Sequence, residues 1–225
     1  MLRKSTGNMY EFVTHTWNPI KGECPHECIY CYMRRWGKQK PLHLDEKELK
    51  TNLGTGNFIF VGSSTDMFAY GVEAWMIKEV LSVMSKYDNK YLLQSKNPEA
   101  FMSFLQYIPT ETALCTTIET NRWYEVIMEH APHPWDRVIG MSPRSIKGFE
   151  RYVTIEPIMD FDLPLLIQMI QECYPKQVNI GADSGNNNLP EPSSKKTLEL
   201  IDALSEFTTV KLKKNLNRII GRETK

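Results

Sequence analysis

The chain has 225 residues, 41% hydrophobic and 24% charged, and its 27 basic and 27 acidic side chains cancel. This is ordinary globular composition, long enough for a sizeable core, so one domain over 1–225 is expected, and a surface without charge excess excludes gripping nucleic acid by bulk charge alone. No apolar run reaches the roughly 18 residues of a membrane span; Met1-Leu2-Arg3-Lys4-Ser5 lacks a signal-peptide core, and five cysteines, three of them clustered, suit a reducing cytoplasm better than a disulfide framework.

Glu11 to Trp17 is rich in aromatic and β-branched residues and reads as a first strand, ended by Asn18-Pro19. After the cysteines at 24, 28 and 31 the chain is expected to turn helical from Cys28 through Trp36. A second short helix is expected over Leu44 to Leu53, with Asp45 as N-cap. Phe58 to Val61 is a short apolar run bounded by glycines, as in a buried parallel strand. Helical spacing of Trp75, Met76, Val80, Val83 and Met84 predicts a helix over Val72 to Tyr87. A strand at Tyr91 to Gln94, a helix at Pro98 to Tyr107, a strand at Thr112 to Ile118 and a helix at Asn121 to His130 follow. The proline-rich segment from His130 to Pro143 reads as irregular, with a short helix near Pro143 to Gly148. Tyr152 to Ile155 (strand), Leu163 to Tyr174 (helix), Gln177 to Ile180 (strand), Ser194 to Phe207 (helix capped by Ser193 or Ser194) and Thr208 to Leu212 (strand) complete the chain before a basic tail.

Strand and helix alternate about six times, which implies a parallel sheet with right-handed crossovers. A closed barrel needs eight such units and about 250 residues, so the expectation is an α/β fold with a partial (β/α)6 TIM-type barrel of parallel strands. Polar residues at the C-terminal ends of the strands should then share one rim. Those ends read Gly62-Ser63-Ser64-Thr65-Asp66, Gln94-Ser95-Lys96-Asn97, Thr116-Thr117-Ile118-Glu119, Thr154-Ile155-Glu156-Pro157 and Gly181-Ala182-Asp183-Ser184. Polar residues mark the ends of most strands, but packing does not require acids at the same place in several units. Asp66, Glu119, Glu156 and Asp183 are therefore candidates for function, as is Lys96, which could meet a substrate phosphate or only solvent. Strand alternation puts Cys115 on one face with Thr117 and Glu119, either as a hydrogen-atom donor or as a small buried residue.

Cys24-Pro25-His26-Glu27-Cys28-Ile29-Tyr30-Cys31 carries the chemistry. Three thiolates this close repel one another unless a cation neutralises them, and three ligands leave a metal or cluster with an open position. Zinc completed by His15, His26 or His43 is the simpler alternative, giving a non-catalytic zinc or iron–sulfur module that contacts nucleic acid. Zinc ribbons and fingers draw on two separated ligand pairs, and no second pair exists here. Arg34, Arg35, Lys38 and Lys40, with the basic tail from Lys211 to Arg218, allow an anionic substrate such as a nucleotide or nucleic acid.

The Cys-x3-Cys-x2-Cys spacing, with Tyr30 before the third cysteine and a strand before the first, resembles the radical S-adenosylmethionine superfamily. Thr16-Trp17-Asn18-Pro19, Cys31-Tyr32, Thr154-Ile155-Glu156-Pro157 and Gly181-Ala182-Asp183-Ser184-Gly185 further resemble small phage-associated radical-SAM-like proteins and, more distantly, spore photoproduct lyase. Neither isolated cysteine matches the spacing of that lyase's hydrogen donor, so its repair reaction is not implied. The resemblance implies a [4Fe–4S] cluster on Cys24, Cys28 and Cys31, with S-adenosylmethionine on the open iron. It also implies a methionine-binding loop at Gly62, Ser63 and Ser64, ribose contacts from Thr117 and Glu119, and Tyr30 beside the adenine. Asp66 and Asp183 join the candidate cofactor contacts, while Glu156, Lys96 and Cys115 are the candidate catalytic groups. An electron donor such as flavodoxin or ferredoxin is the implied partner.

Overall fold

The computed structural model describes residues 1–221. Its main sheet takes in β1 (Arg3–Lys4) and β2 (His15–Trp17), while β3 (Ile20–Lys21) and β4 (His43–Leu44) form a separate two-stranded ribbon. The main sheet continues with β5 (Phe58–Val61), β6 (Lys90–Ser95), β7 (Thr112–Thr117), β8 (Glu150–Ile155), β9 (Gln177–Ile180) and β10 (Thr209–Leu212). The order is β1-β2-β5-β6-β7-β8-β9-β10. Within this sheet every pairing from β2 to β10 is parallel, and only β1 runs antiparallel, against β2. This is the expected α/β fold on a mostly parallel sheet, and all C-terminal strand ends from β2 to β10 face one rim.

The helices are α1 (Glu46–Leu49), α2 (Ala74–Met84), α3 (Glu125–Met128), α4 (Pro134–Met141), α5 (Leu163–Cys173), α6 (Ser194–Ser205) and α7 (Asn217–Ile220). Alternation along the strands divides the core in two. Ile59, Val61, Tyr91, Leu93, Leu114, Val153, Val178 and Ile180 pack with helix residues such as Ile77, Leu81, Leu166, Met169 and Leu200. The intervening residues Phe60, Leu92, Ala113, Cys115 and Tyr152 form a second cluster, which Tyr10 and Val13 complete. On that second face the side chains change from apolar to polar toward the rim: Leu92 gives way to Gln94, Cys115 to Thr117 and Tyr152 to Thr154. The segment before β2 thus covers the lower part of that face, and the part nearer the rim is left to polar groups.

Local differences from expectation have physical causes. The proline-rich segment contains a helix at 134–141, not at 143–148. Pro134 occupies a first-turn position, where its missing N–H costs nothing, and the His133 ring accepts from Trp135 N at 3.2 Å as a cap. Residues 98–107 form two 3-10 stretches, Pro98–Ser103 and Leu105–Tyr107, and 32–36 is also 3-10. The helix expected over 121–130 is the single turn α3. In α2 the buried residues are Ile77, Val80, Leu81, Val83 and Met84, while Trp75 is 55% exposed.

Gly140 marks the closest approach of α4 to its neighbour: a Cβ there would lie 2.6 Å from Glu99 N and 3.0 Å from Pro98 Cγ. Gly140→Ala should therefore destabilise the fold by about 1–3 kcal/mol through overpacking against backbone. A thermal melt should show a drop of about 2–4 °C per kcal/mol, and an unchanged midpoint would contradict this packing. No described helix is long and apolar enough to cross a membrane.

Candidate functional site

One cavity of about 830 Å³ opens at the rim, and Cys24, Cys28 and Cys31 all line it. The cysteine loop is built from two tight turns, Glu27 N to Cys24 O at 3.1 Å and Cys31 N to Cys28 O at 3.1 Å. It docks on the segment around α3 through Ile29 N to Ile127 O and His130 N to His26 O, both 3.1 Å. Burial pushes the Cys24 thiol up to about 12, with Asp66 adding to the shift. A metal bound there must therefore displace a proton.

Asp66 ties this loop to the sheet. One carboxylate oxygen accepts from Ser95 Oγ at 3.0 Å and Lys96 N at 2.8 Å, and lies 2.8 Å from His26 Nε2. The other accepts from Phe68 N at 3.0 Å. Burial alone would raise this carboxyl, but His26 and the N–H donors together hold it below its ordinary range. Asp66 lines the cavity, with its oxygens already engaged in holding the loop.

The loop after β5 turns at Gly62, whose φ of +79° favours glycine, and Gly62 N donates to Trp17 O at 2.9 Å. Asn18 holds the next two residues: its Oδ1 accepts from Ser63 Oγ at 3.1 Å and Ser64 N at 3.0 Å. Asn18 was not among the expected site residues, although it sits in the Thr16-Trp17-Asn18-Pro19 stretch that carried the family resemblance. Gly62, Ser63 and Ser64 all line the cavity, facing the cysteines.

Lys96 extends from the end of β6 toward the thiols. Its Nζ lies 3.3 Å from Cys28 Sγ, 2.8 Å from Tyr30 Oη and 3.4 Å from Glu119 Oε1. Burial would lower this ammonium, but Cys28, Tyr30 and Glu119 hold it protonated, well above the usual lysine value. Tyr30 Oη donates to Glu119, and the phenol is raised by burial first and by that carboxylate second. Glu119 is fully buried and lies outside the cavity lining, its second oxygen accepting from Arg137 Nη1 at 2.7 Å. The geometry thus makes Glu119 a support for Tyr30 and Lys96, where a ribose contact was expected. Arg137, also fully buried, was not among the expected site residues at all.

Thr117 lines the cavity and its hydroxyl accepts from Gln94 Nε2 at 3.1 Å. Cys115 is fully buried in the apolar floor and does not line the cavity. Asp183 lines the cavity but braces its own loop, accepting from Gly185 N, Asn187 N and Asn187 Nδ2. Glu156, Asn8, Tyr10 and Lys213 line the cavity as well.

Three thiols with an adjacent, half-buried cation form a soft donor set suited to zinc or an iron–sulfur cluster. Among the described residues, no three His, Cys, Asp or Glu side chains are gathered as a single ion requires. A cluster that takes one sulfur at each of three irons asks less convergence of them than one ion drawing every sulfur to about 2.3 Å.

The fold and site define an α/β protein with a three-thiol loop at the C-terminal rim of a parallel sheet. The chain belongs to the family described as "Protein of unknown function (DUF5131)", whose model matches residues 8–196. No curated protein matches its sequence. Among solved structures it is similar to spore photoproduct lyase complexed with dinucleoside spore photoproduct, with a TM-score of 0.65 and 10% identity over 92% of this chain and 78% of that one. A mutant of the lyase with bound AdoMet and dinucleoside spore photoproduct gives a TM-score of 0.64 at the same identity and coverage. At this identity the likeness shows the fold.

Proposed function

We propose that this protein is a radical S-adenosylmethionine enzyme acting on an anionic substrate such as a nucleotide or nucleic acid. The observation that carries the reading is the shared cavity: Cys24, Cys28 and Cys31 line it together with Gly62, Ser63, Ser64, Lys96, Thr117 and Glu156. The similarity of the fold to a lyase described with bound AdoMet supports it. When bound, a [4Fe–4S] cluster with S-adenosylmethionine supplies reductive carbon–sulfur cleavage and, from it, a hydrogen-abstracting radical.

The residues of this chain supply the rest. Cys24, Cys28 and Cys31 hold the cluster, and Lys96 offsets thiolate charge at Cys28. Glu119 and Arg137 hold Lys96 and Tyr30 in place. Hydroxyls and carbonyls of Gly62 to Ser64 accept from an ammonium at close approach. Tyr10 and Phe60 line the cavity with apolar surface, which limits water around a reactive species. A low-potential carrier such as flavodoxin or ferredoxin supplies the electron. Arg35 and Lys38 line the cavity mouth and attract an anion.

Anaerobic reconstitution tests this reading. The protein should bind iron and sulfide, absorb broadly in the visible region and, with dithionite, cleave S-adenosylmethionine to 5′-deoxyadenosine. One zinc per chain with no iron or sulfide would favour the non-catalytic module instead. A cluster whose EPR signal does not change on adding S-adenosylmethionine would leave only electron transfer.

A further inference from the structure

Besides the three cysteines and the Gly62 to Ser64 loop, the cavity lining holds a second polar array around Glu156. Glu156 Oε1 accepts from Asn8 Nδ2 at 3.0 Å and Asn215 Nδ2 at 3.2 Å, and Oε2 accepts from Lys213 Nζ at 2.5 Å. Asn215 is committed behind the carboxylate, since the same nitrogen reaches Ala182 O at 2.6 Å and Ser184 Oγ at 2.9 Å. Gly181 makes the room: a Cβ there would lie 2.7 Å from Glu156 Oε1. Asn8, Glu156 and Lys213 line the cavity, so the array it presents is donor, acceptor, donor.

Each member keeps hydrogen-bonding capacity. A carboxylate accepts about four hydrogen bonds and three are taken; an ammonium has three protons and a carboxamide nitrogen two. Lys213 gives one proton to Glu156 and rests over the Tyr10 ring at 4.6 Å. Asn8 gives one to Glu156, and among the described residues its other acceptor, Ser184 Oγ, is distant at 3.5 Å. The Glu156 and Lys213 side chains are only 16% and 11% exposed. A charged ligand group here would leave one of the pair uncompensated and largely buried, so an uncharged group is preferred. Met9, Tyr10 and Pro157 add apolar surface to the same cavity, suited to the faces of a ring.

On the reading of this cavity as a radical S-adenosylmethionine site, we infer that Lys213, Glu156 and Asn8 bind the substrate by an acceptor–donor–acceptor edge, that of a cyclic imide ring. Lys213 and Asn8 donate to the two ring carbonyls, and Glu156 accepts from the imide N–H between them. The rim cations Arg35 and Lys38 then meet an anionic group elsewhere on the same molecule.

Saturation-transfer NMR on the full chain tests this without cluster or cofactor, so its failure is separate from failure of cofactor cleavage. The probes are 1-methyluracil, which keeps the imide edge, and 3-methyluracil, in which a methyl replaces the imide proton. Transfer to 1-methyluracil should be stronger by about fivefold, the worth of one lost hydrogen bond. Asn8→Ala and Lys213→Met should each weaken transfer to both probes, since each removes a donor to a carbonyl that both probes keep, and Gly181→Ala should remove the preference by displacing Glu156. Circular dichroism would show that each variant is folded. Equal transfer to both probes, no transfer to either, a preference that survives in folded Gly181→Ala, or undiminished transfer in folded Asn8→Ala and Lys213→Met would overturn the inference. Loss of thermal stability in the variants, with no probe preference in the wild type, would make the array a fastener between the N-terminal segment and β10.

Discussion

Cys28→Ala should lose its cluster and, with it, S-adenosylmethionine cleavage by more than about 100-fold, since even outer partners of a metal site are worth 10–100-fold. Cys28 is the middle thiol of the loop and only 4% exposed. Its sulfur faces Lys96 Nζ at 3.3 Å and Met128 O at 3.8 Å, so alanine leaves no nearby group to take its place as a ligand. The loop's backbone turns do not depend on the sulfur, and the variant should fold. Iron and sulfide per chain, visible absorption and 5′-deoxyadenosine formation measure the result. Full cleavage by Cys28→Ala would sink the proposed function. Cys115→Ala is the contrast: its sulfur is in the apolar floor, outside the cavity, so cluster content should stay at the wild-type level.

Features set by local sequence were legible before the structure. Phe58–Val61 and Gln177–Ile180 appear as strands at the expected bounds, because short apolar runs between turn residues leave little alternative. The Asp45 and Ser193 caps appear because each side chain acts on an N–H within three residues. The cysteine loop was visible as a chemical unit since its ligands are near neighbours in the chain. The features that were not legible depend on contacts across long sequence separations. Arg137 sits in a proline-rich segment where an arginine ordinarily reads as surface, and only the docking of α4 brings it to Glu119. Glu119 lies two residues past the end of its strand, and Tyr30 and Arg137, both distant in the chain, enclose it. Asn8 gives no local signal, because its partners Glu156, Ser184 and Asn215 lie more than a hundred residues away. The sheet's first strand was also missed: Arg3–Lys4 is too short and too charged to show strand periodicity, and only pairing with His15 and Thr16 defines it.

Arg137→Met should cost about 3–5 kcal/mol, the usual penalty for breaking a buried ion pair from one side. The guanidinium is fully buried and makes Nη1 contacts to Glu119 Oε2 at 2.7 Å and Thr117 O at 3.0 Å, with Nε to Pro132 O at 2.7 Å. Methionine fills much of the volume but leaves the Glu119 carboxylate with Lys96 as its remaining cation. Urea unfolding of the cluster-free protein at pH 7 measures the cost. Arg137→Lys should fall between the two, keeping the charge but not the full set of donors. The pH dependence separates loss of charge from loss of packing. Burial alone would raise the Glu119 carboxyl, but Arg137 and Lys96 bring it down from its ordinary 4.5 to about 2. Its folded value is therefore the depressed one, so its contribution is fully present above 4.5 and is lost as pH falls from there through about 2. That interval corresponds to about 3 kcal/mol. In Arg137→Met the folded value rises toward or past the unfolded one. The stability gap between wild type and variant should thus narrow steadily as the pH is lowered below 4.5. A gap that stays constant with pH would mean that Arg137 acts through packing alone, and that Glu119 does not rely on it to remain charged beneath the cysteine loop.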